Sequence, residues 1–184
     1  YNGNEKSRFG FKRKNYIVDI EKSAKWVEEK NNDTTFLEIP STLKEALNNW
    51  EINFKKISHL NQIITDKDLS ENNSIACIET DCELLPPIPN PQSFRDFYAF
   101  EQHVRSARKL RGLDMHPDWF KIPIFYFSNP AALFGHKANI AYPTGTKELD
   151  FELEFATIIA DGGKNINAND AKKYIAGYTV CNDW

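Results

Sequence analysis

Apolar and polar positions along the first third of the chain define a series of short elements. Tyr16-Ile17-Val18 is an apolar run of strand length. From Ile20 the spacing turns helical: Ile20, Ala24 and Val27 fall on one face, while Glu21, Lys22, Lys25, Glu28 and Glu29 lie elsewhere. Pro40-Ser41-Thr42 announces a second helix, and Thr42 with Glu45 has the spacing of a capping box. Trp50, Phe54, Ile57, Leu60 and Ile64 recur at steps of four and three, the pattern of an amphipathic helix set against a core. A partner-binding face is the other reading of that stripe. Asn72-Asn73 predicts a turn, and Ile75-Ala76-Cys77-Ile78 a strand.

Pro86-Pro87-Ile88-Pro89-Asn90-Pro91 interrupts this order. Prolines at this density forbid helix and most ladder pairing, so the segment reads as an extended connector. We expect a small mixed domain over 1–85, a linker over 86–91 and a second domain over 92–184. In the second domain, Phe94 to Arg111 has a helical pattern, and Ile122 to Phe127 reads as a buried strand with Pro123 at its start or on an edge. Leu149 to Ala160 reads as a longer strand, followed by a turn at Asp161-Gly162-Gly163. Asn167 or Asn169 would cap a short helix through Ile175 with Gly177 beyond it, and Tyr178 to Cys181 closes the chain as a strand.

Composition narrows the class. The chain has 184 residues, 41% apolar and 13% aromatic, enough hydrophobic surface to exclude disorder. A net charge of −3 provides no basic field for nucleic acid. No apolar run approaches the roughly 20 residues that span a bilayer, and no signal-peptide pattern is present. Three cysteines are too few and odd for a disulfide scaffold. A cytoplasmic protein without membrane contact is expected. The chain opens at Tyr1 without Met and stops at Trp184 directly after a strand pattern, so a fragment of a longer protein is expected.

The strongest chemical signal is Asp150-Phe151-Glu152-Leu153-Glu154-Phe155. With a strand period of two, Phe151, Leu153 and Phe155 point one way and the three acids the other, successive acids about 7 Å apart. Acids facing water on a half-exposed strand would produce this pattern. Asp and Glu are poor strand formers, however, and such local conflict gathers at functional sites. Asp96 and His103 are seven apart, sharing a face if both lie on a helix. Asn182-Asp183 ends the last apolar strand. Cys77 and Cys82 lack a second ligand pair for zinc, and Cys181 reads as a space-filling residue.

Taken in order, the strings Asp96-Phe97-Tyr98-Ala99-Phe100-Glu101-Gln102-His103, Pro123-Ile124-Phe125-Tyr126-Phe127-Ser128-Asn129-Pro130, Asp150-Phe151-Glu152-Leu153-Glu154 and Gly177-Tyr178-Thr179-Val180-Cys181-Asn182-Asp183-Trp184 resemble the fumarylacetoacetate hydrolase family. The resemblance is close from about Pro91 onward and loose before it. It implies an α+β protein: a small N-terminal domain and a β-rich catalytic domain of mixed sheets rolled together, its C-terminal part beyond this chain. It also implies Glu152, Glu154 and Asp183 as ligands of a divalent cation, with Asp96 as the fourth, His103 as general base, and Tyr98 and Tyr126 as substrate contacts; Arg111 is a further substrate-contact candidate, read from its charge. Oxygen donors of this kind suit Mg²⁺, Mn²⁺ or Ca²⁺.

The implied activity is hydrolysis of a C–C bond in a 1,3-dicarbonyl or 2-oxo carboxylic acid, in catabolism, by a homodimer. Decarboxylation or isomerisation of a 2-oxo acid is the related alternative, and a metal-binding fragment without turnover is a third. Two departures stand out. The family's catalytic Lys lies beyond the position of Trp184. Shorter relatives carry a Glu three residues after the histidine, where this chain has Ser106. Arg105, Arg108, Lys109 and Arg111 follow, either to clamp a substrate carboxylate or to face water.

Overall fold

The computed structural model describes residues 7–32, 34–36 and 38–184; the expected opening of the first domain at residues 1–6 lies outside them. Backbone proximity divides the chain into two units, one formed by residues up to Pro87 together with Gly135–Trp184, the other by Ile88–Phe134. Helices and small antiparallel sheets are mixed along the chain.

The first segment of the larger unit contains a three-stranded antiparallel sheet in the order β1 (Gly10–Arg13), β2 (Tyr16–Asp19), β3 (Ala76–Ile78). Asp19 ends β2 and caps α1 (Ile20–Asn31), its carboxylate accepting from Lys22 N at 2.9 Å. Ile20, Ala24 and Val27 are buried as their spacing predicts. Thr42 and Glu45 form the expected capping box around α2 (Leu43–Leu47).

The stripe on α3 (Trp50–Ile63) is only partly as expected. Ile57, Leu60 and Ile64 join a core that includes Val18, Ile20, Val27, Phe36, Leu69 and Ile75. Phe54, by contrast, is 54% exposed and lies against Trp50 with ring centroids 5.2 Å apart. At about 100° per residue Asn53 is within about 40° of Ile57, Leu60 and Ile64, whereas Phe54 is at least about 60° away. Asn53 is therefore the buried residue, and its Nδ2 donates to Ala46 O at 2.9 Å.

A short helix not expected from the pattern, α4 (Asp66–Glu71), follows a second capping box made by Thr65 and Asp68. Lys30 Nζ donates to Asp68 at 2.9 Å, tying α4 to α1. Burial raises the Asp68 carboxyl, but hydrogen bonds from Lys30 and Thr65 outweigh it and hold the group at about 2. Cys77 on β3 and Cys82 are joined by a disulfide, which the spacing had not signalled. Gly135 lies against the Leu84 carbonyl, which accepts from His136 N at 3.0 Å; a side chain at 135 would collide with it.

In the same unit, β6 (Glu152–Ile159) pairs antiparallel with β7 (Ile175–Asp183). Gly177 lies inside β7 rather than ending a helix, because the preceding 3-10 turn, Ala168–Tyr174, runs directly into the strand. Ile158 pairs with Gly177 but Ile159 with Ile175, leaving Ala176 as a bulge.

The Ile88–Phe134 unit corrects one expectation outright. Phe94–Phe97 is a strand, β4, paired antiparallel with β5 (Phe125–Ser128), and only Glu101–Leu110 is helical, as α5. Asp96 and His103 therefore do not share a helix face. Backbone pairing with residues about thirty positions away overrides the local helical spacing. β5 is exposed rather than buried, with Tyr126 at 69%. No described helix is long and apolar enough to cross a membrane.

Candidate metal centre and its neighbours

Antiparallel register assembles the acids of the larger unit. Glu152 pairs with Asp183, and Glu154 with Cys181, so all four side chains share one face of the β6–β7 ribbon. Glu154, Ala156, Ile158, Thr179 and Cys181 on that face are half-buried. The opposite face carries Leu153, Phe155, Tyr178 and Val180, with Leu153 72% and Val180 71% exposed. The two faces predicted from alternation exist, but the hydrocarbon one is the more open to solvent.

A carboxylate oxygen of Glu154 and one of Asp183 lie within 4.8 Å of each other. Glu152 stands at the end of the ribbon and does not join them in a mutual group at that distance. Asp150 lies outside β6, its Oδ1 accepting from Phe151 N at 2.9 Å. Two carboxylates this close repel unless a cation intervenes, and the donors are all hard oxygens. The donor chemistry thus fits Mg²⁺, Mn²⁺ or Ca²⁺.

The remaining predicted residues belong to the Ile88–Phe134 unit. Asp96 on β4 is directly opposite Tyr126 on β5. Beyond β4 the chain turns tightly, Ala99 N donating to Phe97 O at 2.7 Å, and α5 begins at Glu101. Buried Val104 anchors that helix, and Arg105 pairs with Glu101 one turn before it. His103, in the first turn, meets the Tyr98 ring edge-on, centroids 5.7 Å apart. Of the basic residues after it, Arg105 and Arg108 have local partners in Glu101 and the Asp114 carbonyl, while Arg111 caps the helix as an exposed residue.

Trp119 was not singled out by sequence, yet its Nε1 donates to Tyr98 O at 2.8 Å and fixes the segment carrying the His103 neighbour. Its available signal was Pro117, which favours the helical turn Pro117–Phe120 that presents it.

Comparison with known proteins identifies the family. Residues 92–184 match the family described as "Fumarylacetoacetate (FAA) hydrolase C-terminal". The chain belongs to the fumarylacetoacetate hydrolase family. It is 33% identical to a fumarylacetoacetase of Oryza sativa subsp. japonica over 125 residues, 57% of this chain and 29% of the relative. It is 28% identical to a fumarylacetoacetate hydrolase domain-containing protein 2 homolog of Dictyostelium discoideum over 181 residues, 98% of this chain and 50% of the relative. A mitochondrial oxaloacetate tautomerase FAHD2A of Bos taurus is 40% identical over 63 residues, 34% of this chain and 20% of the relative. The chain thus spans half or less of these relatives' length. In fold it resembles a putative HpcE protein from Mycobacterium smegmatis at a TM-score of 0.63 and 15% identity, covering 96% of this chain and 52% of that one.

Proposed function

We propose that the protein is a divalent-metal-dependent hydrolase that cleaves a C–C bond in a 1,3-dicarbonyl or 2-oxo carboxylic acid of the fumarylacetoacetate or acylpyruvate type. The observation carrying this reading is the approach of Glu154 and Asp183 across β6 and β7 to within 4.8 Å. Glu152 on the same face and Asp96 complete the oxygen donors implied by the family resemblance. The ion, Mg²⁺, Mn²⁺ or Ca²⁺, supplies Lewis-acid polarisation of the substrate's oxygens. His103 takes a proton from water, and the resulting hydroxide adds to a carbonyl carbon. The bond from that carbon to the neighbouring methylene breaks, and the methylene carbon is then protonated by His103, which returns the proton it took from water. Tyr98, edge-on to the imidazole, restricts the orientation of His103, and Tyr126 and Arg111 contact the substrate.

Calorimetric titration with Mg²⁺ and Mn²⁺ tests the ion site. Wild type binds, and the Glu152→Gln, Glu154→Gln double variant loses the heat; equal binding by both removes the proposal. His103→Ala lowers acylpyruvate turnover by about 10²–10⁴-fold, the usual contribution of a general base, while leaving ion binding in place; unchanged turnover rejects its assigned role.

The relatives named oxaloacetate tautomerase support a second reading, isomerisation or decarboxylation of a 2-oxo acid. Supplying an acylpyruvate and oxaloacetate separately and identifying the products separates the two. Turnover of neither substrate leaves a metal-binding polypeptide. Action in the cytoplasm as a homodimer belongs to the same proposal, and size-exclusion chromatography with light scattering tests the dimer.

A further inference from the structure

The Ile88–Phe134 unit contains a hollow of about 220 Å³ whose wall includes Phe97, Tyr98, Trp119, Ile122, Pro123 and Ile124. Two of its N–H donors are already engaged by neighbouring carbonyls. Trp119 Nε1 donates to Tyr98 O at 2.8 Å, and Tyr98 N donates to Ile124 O at 3.1 Å. Pro123 has no N–H to offer. Carbon and aromatic surface is therefore most of what the hollow presents, and no charged residue lines it. Tyr98, one of the residues that border it, also meets His103 through its ring, centroids 5.7 Å apart.

We propose that this hollow is a specificity subsite for the apolar substituent of a monocarboxylic 2-oxo acid whose polar end lies at His103. The location of that polar end rests on the function proposed above; the preference for a hydrocarbon tail rests on the hollow alone. A second carboxylate, as in fumarylacetoacetate or oxaloacetate, would have to enter a mostly apolar wall without a charged partner, so of the two substrate types proposed above the subsite selects the acylpyruvate type over dicarboxylic acids. Alkyl or aryl tails displace water from that wall and are favoured.

The test uses the whole chain with Mg²⁺, observing the ¹⁵N-labelled indole resonances, with that of Trp119 assigned through Trp119→Phe. Titration with 2-oxooctanoate shifts the Trp119 resonance saturably, with affinity at least about tenfold above that of pyruvate, the discrimination available from a single buried methylene. Ile124→Ala reduces that ratio below about threefold. Equal affinity for the two acids, or a Trp119 resonance unmoved by 2-oxooctanoate, overturns the subsite. Repeating the titration in EDTA separates the two proposals. A tail preference that persists while pyruvate binding ignores Mg²⁺ keeps the subsite and rejects the ion site. Mg²⁺-dependent binding of both acids without a tail preference does the reverse.

Discussion

Replacing Glu154 by Gln should reverse its effect on stability according to whether a divalent cation is present. Glu154 and Asp183 approach within 4.8 Å. Coulomb's law puts their repulsion at about 0.9 kcal/mol in water and about 3.5 kcal/mol at an effective dielectric constant near 20. Asp183 is exposed, so the lower figure, about 1 kcal/mol, applies. In EDTA the Glu154→Gln variant loses that repulsion and melts higher, by about 3 °C for a chain of this size. Cation at a hundred times its dissociation constant stabilises wild type by about 2.7 kcal/mol, whereas a variant binding a hundredfold more weakly gains only about 0.4 kcal/mol. The difference exceeds the relieved repulsion, so in Mg²⁺ wild type melts higher by about 4 °C. Paired calorimetric melts in EDTA and in Mg²⁺ measure both orders. The same order in both buffers, or a wild-type melting temperature indifferent to Mg²⁺, refutes the reasoning.

Other predictions concern the scaffold. The folded Asp68 carboxyl titrates at about 2 against an ordinary 3.8, so its contribution, about 2 kcal/mol, is complete above about pH 4 and lost as pH falls through 2. Asp68→Asn should therefore lower urea-unfolding stability at pH 7 and converge on wild type near pH 2. Leu60→Ala, at a fully buried position, should cost about 2–5 kcal/mol in the same assay. Asn53→Ala should cost about 0.5–1.5 kcal/mol, the net worth of one hydrogen bond, because the Ala46 carbonyl keeps its backbone donors from Asn48 and Asn49; a neutral result would deny that hydrogen bond a structural role.

Features determined by neighbours in sequence were the legible ones. The capping box of Thr42 and Glu45 and the buried face of α1 depend on residues three or four apart, and both are present. The Trp50–Ile64 stripe was legible in kind but not in detail, since a choice between Asn53 and Phe54 depends on angular position, which hydrophobicity alone obscures. β4 was illegible because Phe94–Phe97 becomes a strand only through pairing with Phe125–Ser128. Alternation revealed the faces of Glu152 and Glu154 but not which would be open to solvent, because that depends on what covers the ribbon. Asp183 is a faint signal at a strand end until the resemblance singles it out: its position opposite Glu152 follows from a register fixed across a long connection. Trp119 acts through a backbone carbonyl, and such a partner leaves no mark in a pattern of side chains.

The extra residue at Ala176 acts like an expansion joint. Seven uninterrupted pairs, from Glu152/Asp183 to Ile158/Gly177, separate it from the ribbon's acidic end. A one-residue slip in a regular ladder would turn every side chain beyond it to the other face. Here a length change in residues 160–174 can be absorbed at the joint, leaving the phase of Glu154 and Asp183 intact. Deleting Ala176 should regularise the near end of the ribbon, and inserting a residue between Val180 and Cys181 should throw Glu154 and Asp183 onto opposite sides.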